Sequence, residues 1–135
     1  MELIAKVVNS SPFYRHLGMT MVEYDEGTSV LTMPFESFLS NMYGIAHGGA
    51  IASIADSACG LALASKLEEG QTAVTVDLRI NYISPFSGGK LVARGEVIHK
   101  GSTTSIEFAR LTQDESRLVG IAMAVHYIKM MNDEL

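Results

Sequence analysis

Residues 47–66 read HGGAIASIADSACGLALASK, and this stretch decides the fold. At 100° per residue, Ile51, Ile54, Ala55, Ala58, Leu61 and Ala62 fall on one stripe, the pattern of a helix packed on a core. The opposite stripe of a water-facing helix would be charged. Here it holds Gly49, Ala52, Ser53, Gly60 and Leu63, with one charge, Asp56. A helix without a charged outer face is covered on both sides. A second copy of the chain is the simplest cover, and small residues suit its close approach. The loop at 36–46 is the other candidate.

Outward from this helix the pattern changes to strands. Residues 71–83 alternate, with Val74, Val76, Leu78, Ile80 and Tyr82 on one face and Thr75, Asp77, Arg79 and Asn81 on the other. Turns at Ser87-Gly88-Gly89, Gly101 and 113–116 separate three further strands, at 90–100, 102–112 and 117–129. Upstream, residues 2–10 predict a short helix. Residues 18–25 and 28–35 predict a hairpin about Asp25-Glu26-Gly27. Two strands, a helix and four strands imply an α+β fold in which an antiparallel sheet packs on one long helix.

The chain has 135 residues, the size of one domain spanning 1–135. Apolar residues make up 47% and charged residues 19%, which excludes a disordered tail. One cysteine, Cys59, excludes a disulfide framework within the chain and zinc sites built on cysteine pairs; it suits a reducing compartment. The scattered His16, His99 and His126 lack metal-ligand spacing, so structural roles and no metal are expected. The uncharged stretch at 41–55 is too short and polar to span a bilayer. The start, MELIAKVVNSSP, carries Lys6 inside its apolar run and lacks a signal-peptide plan, so a cytoplasmic location is expected. Net charge is −5, which argues against nucleic-acid binding. Residues 78–117 nevertheless hold six basic side chains against four acids, a mild positive bias open to a small anionic ligand.

Two features carry chemistry. His47-Gly48-Gly49 opens the helix, where backbone N–H groups are unpaired and the dipole is positive. Glycines there admit a ligand oxygen closely and make an oxyanion site. Asn41, in the preceding loop, either donates to the same ligand or holds the loop. The second feature is Asp56, a carboxylate in an apolar setting that is costly without partners. Gly48 and Asp56 lie eight residues apart, about 12 Å along a helix. An oxyanion donor and a nucleophile or base must each come within ~3–3.5 Å of one carbonyl. One helix cannot supply both, so if both act they come from different subunits across a two-fold axis.

Asn41, His47-Gly48-Gly49 and Asp56 at this spacing resemble the hotdog-fold acyl-CoA thioesterases, and most closely the phenylacetate-degradation (PaaI-like) branch. The stretch NMYGIAHGGAIASIADSACGLA matches that branch almost position by position. TVDLRINYISP resembles its third strand and HKGSTT its coenzyme-contacting turn. The resemblance covers about residues 12–128 and implies a sheet wrapped around one helix, with dimers that commonly pair into homotetramers. It implies that the Gly48 and Gly49 N–H groups polarise the thioester carbonyl, and that the neighbouring chain's Asp56 activates water or attacks directly. By the same resemblance Asn41 and His47 orient the thioester or water, and Thr75 is a hydroxyl residue near the carboxylate. Tyr82, His99, Lys100, Gly101, Ser102 and Thr103 would line the coenzyme A path, with Lys100 as phosphate partner. The turn carries one lysine where relatives often have more. No separate cofactor is implied, since coenzyme A belongs to the substrate.

Competing readings weaken on the same residues. HGGA is similar to a lipase oxyanion motif, but that fold needs a G-x-S-x-G elbow, which the sequence lacks; Ser53 and Ser57 are read as packing residues. The histidine-bearing segments of hotdog dehydratases are not matched. A non-catalytic acyl-CoA binder or sensor is disfavoured by Asn41, the HGG run and Asp56 occurring together. Met19 or Met42 is a candidate for lining an acyl pocket.

Overall fold

A computed structural model describes residues 2–132. Helices α1 (Glu2–Asn9) and α2 (Pro12–Leu17) precede strands β1 (Thr20–Asp25) and β2 (Thr28–Pro34). A short 3-10 turn, Ser37–Leu39, leads to the long helix α3 (Gly48–Ala64). Strands β3 (Gln71–Tyr82), β4 (Lys90–Lys100), β5 (Thr104–Gln113) and β6 (Arg117–Met130) follow. All pair antiparallel in one sheet of order β1-β2-β4-β5-β6-β3. The connection through α3 therefore carries the chain from β2 to the far edge, where β3 lies beside β6. This is the hotdog architecture, with α3 resting against the sheet.

Alternation along each strand selects the face turned to α3. Leu91 and Ala93 of β4, Ala109 and Leu111 of β5, and Ala122 and Ala124 of β6 are buried there with Ile51, Ile54, Ala55 and Ala58 of α3. The small side chains let the sheet close tightly on the helix. Contact is tightest at Gly95, where an added Cβ would stand 2.3 Å from the Ala58 carbonyl oxygen. Ser29 Oγ donates to that same oxygen at 2.7 Å, so β2 and β4 both register on one helical turn.

Three expectations are corrected. Helix α2 was not anticipated; Pro12 begins it, and Gly18, at φ 77°, ends it, with the Gly18 N–H donating to the Arg15 carbonyl and the Met19 N–H to the Tyr14 carbonyl. The buried stripe of α3 is rotated by about one position from the expected one, as the helix packs across β2, β4, β5, β6 and β3. Leu63, expected on the open face, is fully buried, and Leu61 is half-buried. In β3 the alternation breaks at a bulge between Thr75 and Asp77. Leu78, Ile80 and Tyr82 pair with Ala124, Ala122 and Gly120 on the helix side. Val74 pairs with Tyr127 on the outer side, and Val76, the extra residue, is exposed. Thr75 consequently pairs with His126 on the helix side, opposite to Asp77 and Arg79.

Candidate active site

The start of α3 is built by its own first residues. His47 is the N-cap, with extended backbone, and its Nδ1 accepts the Gly49 N–H at 2.8 Å. An accepting Nδ1 fixes the proton on Nε2, which leaves an exposed Nε2–H donor. The Ala50 N–H goes to the His47 carbonyl at 2.9 Å. The Gly48 N–H has no partner among the described residues. The two glycine donors are thus divided: Gly49 is spent on the cap, contrary to the expectation that both are open, and Gly48 remains to bind an oxygen. Tyr82 reaches the same turn from the end of β3, donating its hydroxyl to the Gly48 carbonyl at 2.8 Å. That bond pins the helix tip to the sheet edge.

Asn41 shapes the loop before the helix. Its Oδ1 accepts the Tyr43 N–H at 2.8 Å, and its backbone N–H donates to the Ile45 carbonyl at 2.8 Å. These bonds hold a turn closed by Gly44 at φ 77°. Its side-chain amide nitrogen carries no partner among the described residues.

Asp56 is half-buried on the open stripe of α3, two turns beyond the tip. Thr75 Oγ1 donates to Asp56 Oδ1 at 2.8 Å. The same hydroxyl lies 3.1 Å from His126 Nε2, and His126 Nδ1 lies 2.5 Å from Glu107 Oε1. Glu107 and His126 are buried, at 0% and 3% exposure, so the chain runs from the surface carboxylate into the core. Tyr14 of α2 stands close by. Burial pushes its phenol above the ordinary value; a hydrogen bond with Ser57 opposes this, and the Asp56 charge adds to it. Cys59 lies on the core side, where burial first and the Glu107 and Asp56 charges second push its thiol up to about 12. It is an inert packing residue.

His99, Lys100 and Gly101 end β4 and begin its turn, with exposed Ser102 and Thr103 at the tip. Lys100 pairs with Ser105, Ser105 with His126, and His126 with Thr75. This row puts the turn three strands from Thr75, about 14 Å at the usual strand spacing. A groove of about 290 Å³ opens beside the helix tip, lined by Phe13, Leu17, Phe38, Leu39, His47 and Ala50 among others. Neither candidate methionine lines it: Met19 is in the core and Met42 is exposed. Among the described residues no cluster of His, Cys, Asp and Glu is suited to a metal, and no helix is long and apolar enough to cross a membrane.

An open N–H at a helix tip and a hydrogen-bonded carboxylate on the same helix, in this sheet, define a thioester hydrolase. Residues 43–120 match the thioesterase superfamily, and the chain belongs to it. It is 30% identical over 106 residues to the acyl-coenzyme A thioesterase PaaI of Escherichia coli, covering 78% of this chain and 74% of that one. It is 32% identical over 113 residues to human acyl-coenzyme A thioesterase 13, covering 82% and 80%. The crystal structure of a thioesterase from Haemophilus influenzae superimposes with a TM-score of 0.90 at 25% identity, over 98% of this chain and 92% of that one.

Sequence reasoning expects only a structural role for His126 and passes over Glu107; the structure joins both to Thr75 and Asp56. Alternation held a signal for both. Glu107 sits between Ser105 and Ala109 on a stripe that is otherwise small or apolar, and His126 between Ala124 and Ile128. A charged or titratable side chain on an inward stripe needs a partner.

Proposed function

We propose that the protein hydrolyses acyl-CoA thioesters to a free acid and coenzyme A, at two equivalent sites shared between the subunits of a homodimer. The observation that carries this reading is the placement of the two working groups. The open Gly48 N–H and Asp56 lie eight residues apart on α3, about 12 Å. Neither can reach the other's carbonyl within one chain. The surroundings of Asp56 supply the rest of the argument. Its bond to Thr75 turns the open stripe of α3 toward β3, a 12-residue strand at the edge of the sheet. A long edge strand invites pairing with another chain. A two-fold axis along that edge pairs β3 with its copy and sets each Gly48 beside the partner subunit's carboxylate. Pairing of two such dimers into a homotetramer fits the same family.

In this mechanism the thioester oxygen accepts from the Gly48 N–H, helped by the dipole of α3. The His47 Nε2–H and the free Asn41 amide orient the thioester or the water. Asp56 of the second chain either removes a proton from water or attacks the carbonyl. The acyl group lies in the groove between Phe13, Leu17 and Phe38. The coenzyme A arm runs past Tyr82 toward His99, Lys100, Gly101, Ser102 and Thr103, where Lys100 meets phosphate.

The test is steady-state hydrolysis of short, long, branched and aromatic acyl-CoAs, read by trapping the released thiol. Asp56→Asn abolishes turnover and leaves the oligomer folded. Mixed dimers of Asp56→Asn and Gly48→Pro chains, verified by mass, regain part of the activity because one of their two sites is intact. Mixed dimers without recovery exclude a site shared between chains. Saturable acyl-CoA binding without hydrolysis by any substrate excludes the enzyme reading.

A further inference from the structure

Glu107 is fully buried, and the ion pairs and hydrogen bonds among the described residues give it one partner, His126. Its second oxygen, Oε2, has none. Such a carboxylate is a costly feature for a core to keep without a use. The other end of the chain is Asp56, and the proton count between the two ends is informative.

Thr75 has one hydroxyl hydrogen and two acceptor-distance neighbours, Asp56 Oδ1 at 2.8 Å and His126 Nε2 at 3.1 Å. An ionised carboxylate only accepts. The Thr75 hydrogen therefore goes to Asp56, and His126 Nε2 must bring its own hydrogen to Thr75 Oγ1. A second proton then lies between His126 Nδ1 and Glu107 Oε1, 2.5 Å apart. Whichever of those two atoms holds it, the Glu107–His126 unit is neutral overall, the form a dry interior favours. Without Glu107 a neutral imidazole is free to place its proton on Nδ1. Its bare Nε2 would then compete with Asp56 for the Thr75 hydrogen. Gly60 of α3 faces the ring; a Cβ there would stand at ordinary contact distance, 3.5 Å, from Nε2.

Resting on the thioesterase reading, we infer that Glu107, acting through His126, is a positioning residue that aims the Thr75 hydroxyl at Asp56. The bond holds Oδ1 and presents Oδ2 to the thioester or its attacking water. Glu107 itself stays in the core and touches no substrate.

Variants at both buried positions test this. Glu107→Met removes the proton-sharing partner at similar volume, whereas Glu107→Gln still donates an N–H to Nδ1. His126→Leu removes the donor to Thr75, whereas His126→Gln replaces it. The expected result is a fall in kcat of about 10- to 100-fold for Glu107→Met and His126→Leu, with KM little changed. Glu107→Gln and His126→Gln recover most of the loss, and all four variants keep the wild-type oligomer. Thr75→Val combined with Glu107→Met is no slower than Thr75→Val alone, since both act through one bond. Wild-type kcat in Glu107→Met, or losses that multiply in the double variant, overturns the inference. Nitrogen-15 spectra of the imidazole in wild-type protein and Glu107→Gln provide a readout independent of turnover and of the Met variant's folding. A protonated Nε2 is expected in both, and a bare Nε2 overturns the inference. Should wild-type protein hydrolyse no thioester, the function falls, and the spectra alone decide the hydrogen-bond chain.

Discussion

His47 Nδ1 accepts the Gly49 N–H at 2.8 Å, so the side chain that caps α3 also occupies one of the two glycine N–H groups at the helix tip. Capping can therefore be separated from the catalytic role proposed for this residue. His47→Ala loses the cap and costs about 1 kcal/mol of stability. His47→Asn restores a good cap but not the outward Nε2–H. In chemical denaturation the Asn variant should regain wild-type stability, while its thioester hydrolysis stays as low as that of the Ala variant. Full activity in His47→Asn would leave His47 with the cap alone.

Much of this architecture was legible because two periodicities are clean. The long helix, expected at 47–66, spans Gly48–Ala64, and the four strands after it fall within two residues of expectation. What escaped came from events that periodicity does not encode. The bulge after Thr75 reverses the faces of β3, so a threonine that alternation alone puts on the outer face meets Asp56, where the resemblance places it. Without the bulge, Thr75 and His126 have no reason to be read together. The spending of Gly49 on His47 depends on a side-chain rotamer, which no spacing reveals. Glu107 is different, since its inward stripe is visible in the alternation; its partner, His126, lies 19 positions away on another strand, which the alternation does not reveal.

Gly95 is where helix and sheet meet with no room for a side chain. A methyl group there meets the Ala58 carbonyl oxygen at 2.3 Å and its carbon at 2.6 Å, both backbone atoms that cannot rotate aside. Gly95→Ala should cost about 1–3 kcal/mol, the range for overpacking a core. Removing the Ser29 hydroxyl, which holds the same carbonyl at 2.7 Å, should cost about 1 kcal/mol in Ser29→Ala. Urea denaturation of both variants gives the values, and a Gly95→Ala protein as stable as wild type would mean that α3 is not seated on β4 as described.

The thiol of Cys59 is pushed up to about 12, by burial first and by the Glu107 and Asp56 charges second. Its value in the unfolded chain is near 9. The sign follows from linkage: below pH 9 both states hold the proton and stability is unaffected. Above it the unfolded chain ionises first, and the folded state loses about 1.4 kcal/mol per pH unit until the folded value is reached. Native protein at pH 8 should resist iodoacetamide and react once denatured. Between pH 9 and 11 the denaturation midpoint of wild-type protein should fall faster than that of Cys59→Ala.

The groove beside the helix tip, proposed to hold the acyl group, predicts a chain-length preference. Its volume of about 290 Å³ lies at the small end for ligand pockets, and its outer wall is the exposed ring of Phe38. Leu17 also lines it. A methylene that gains burial contributes about 0.8 kcal/mol, roughly fourfold in kcat/KM when the gain is kept in the transition state. Phe38→Ala should move the optimum of an acyl-CoA series to longer chains, by roughly fourfold for each added methylene that the widened groove covers. Leu17→Phe should move it to shorter ones. Both changes act in kcat/KM, and Asp56→Asn still abolishes turnover in either background. A profile identical to wild type in both variants would place the acyl chain outside this groove.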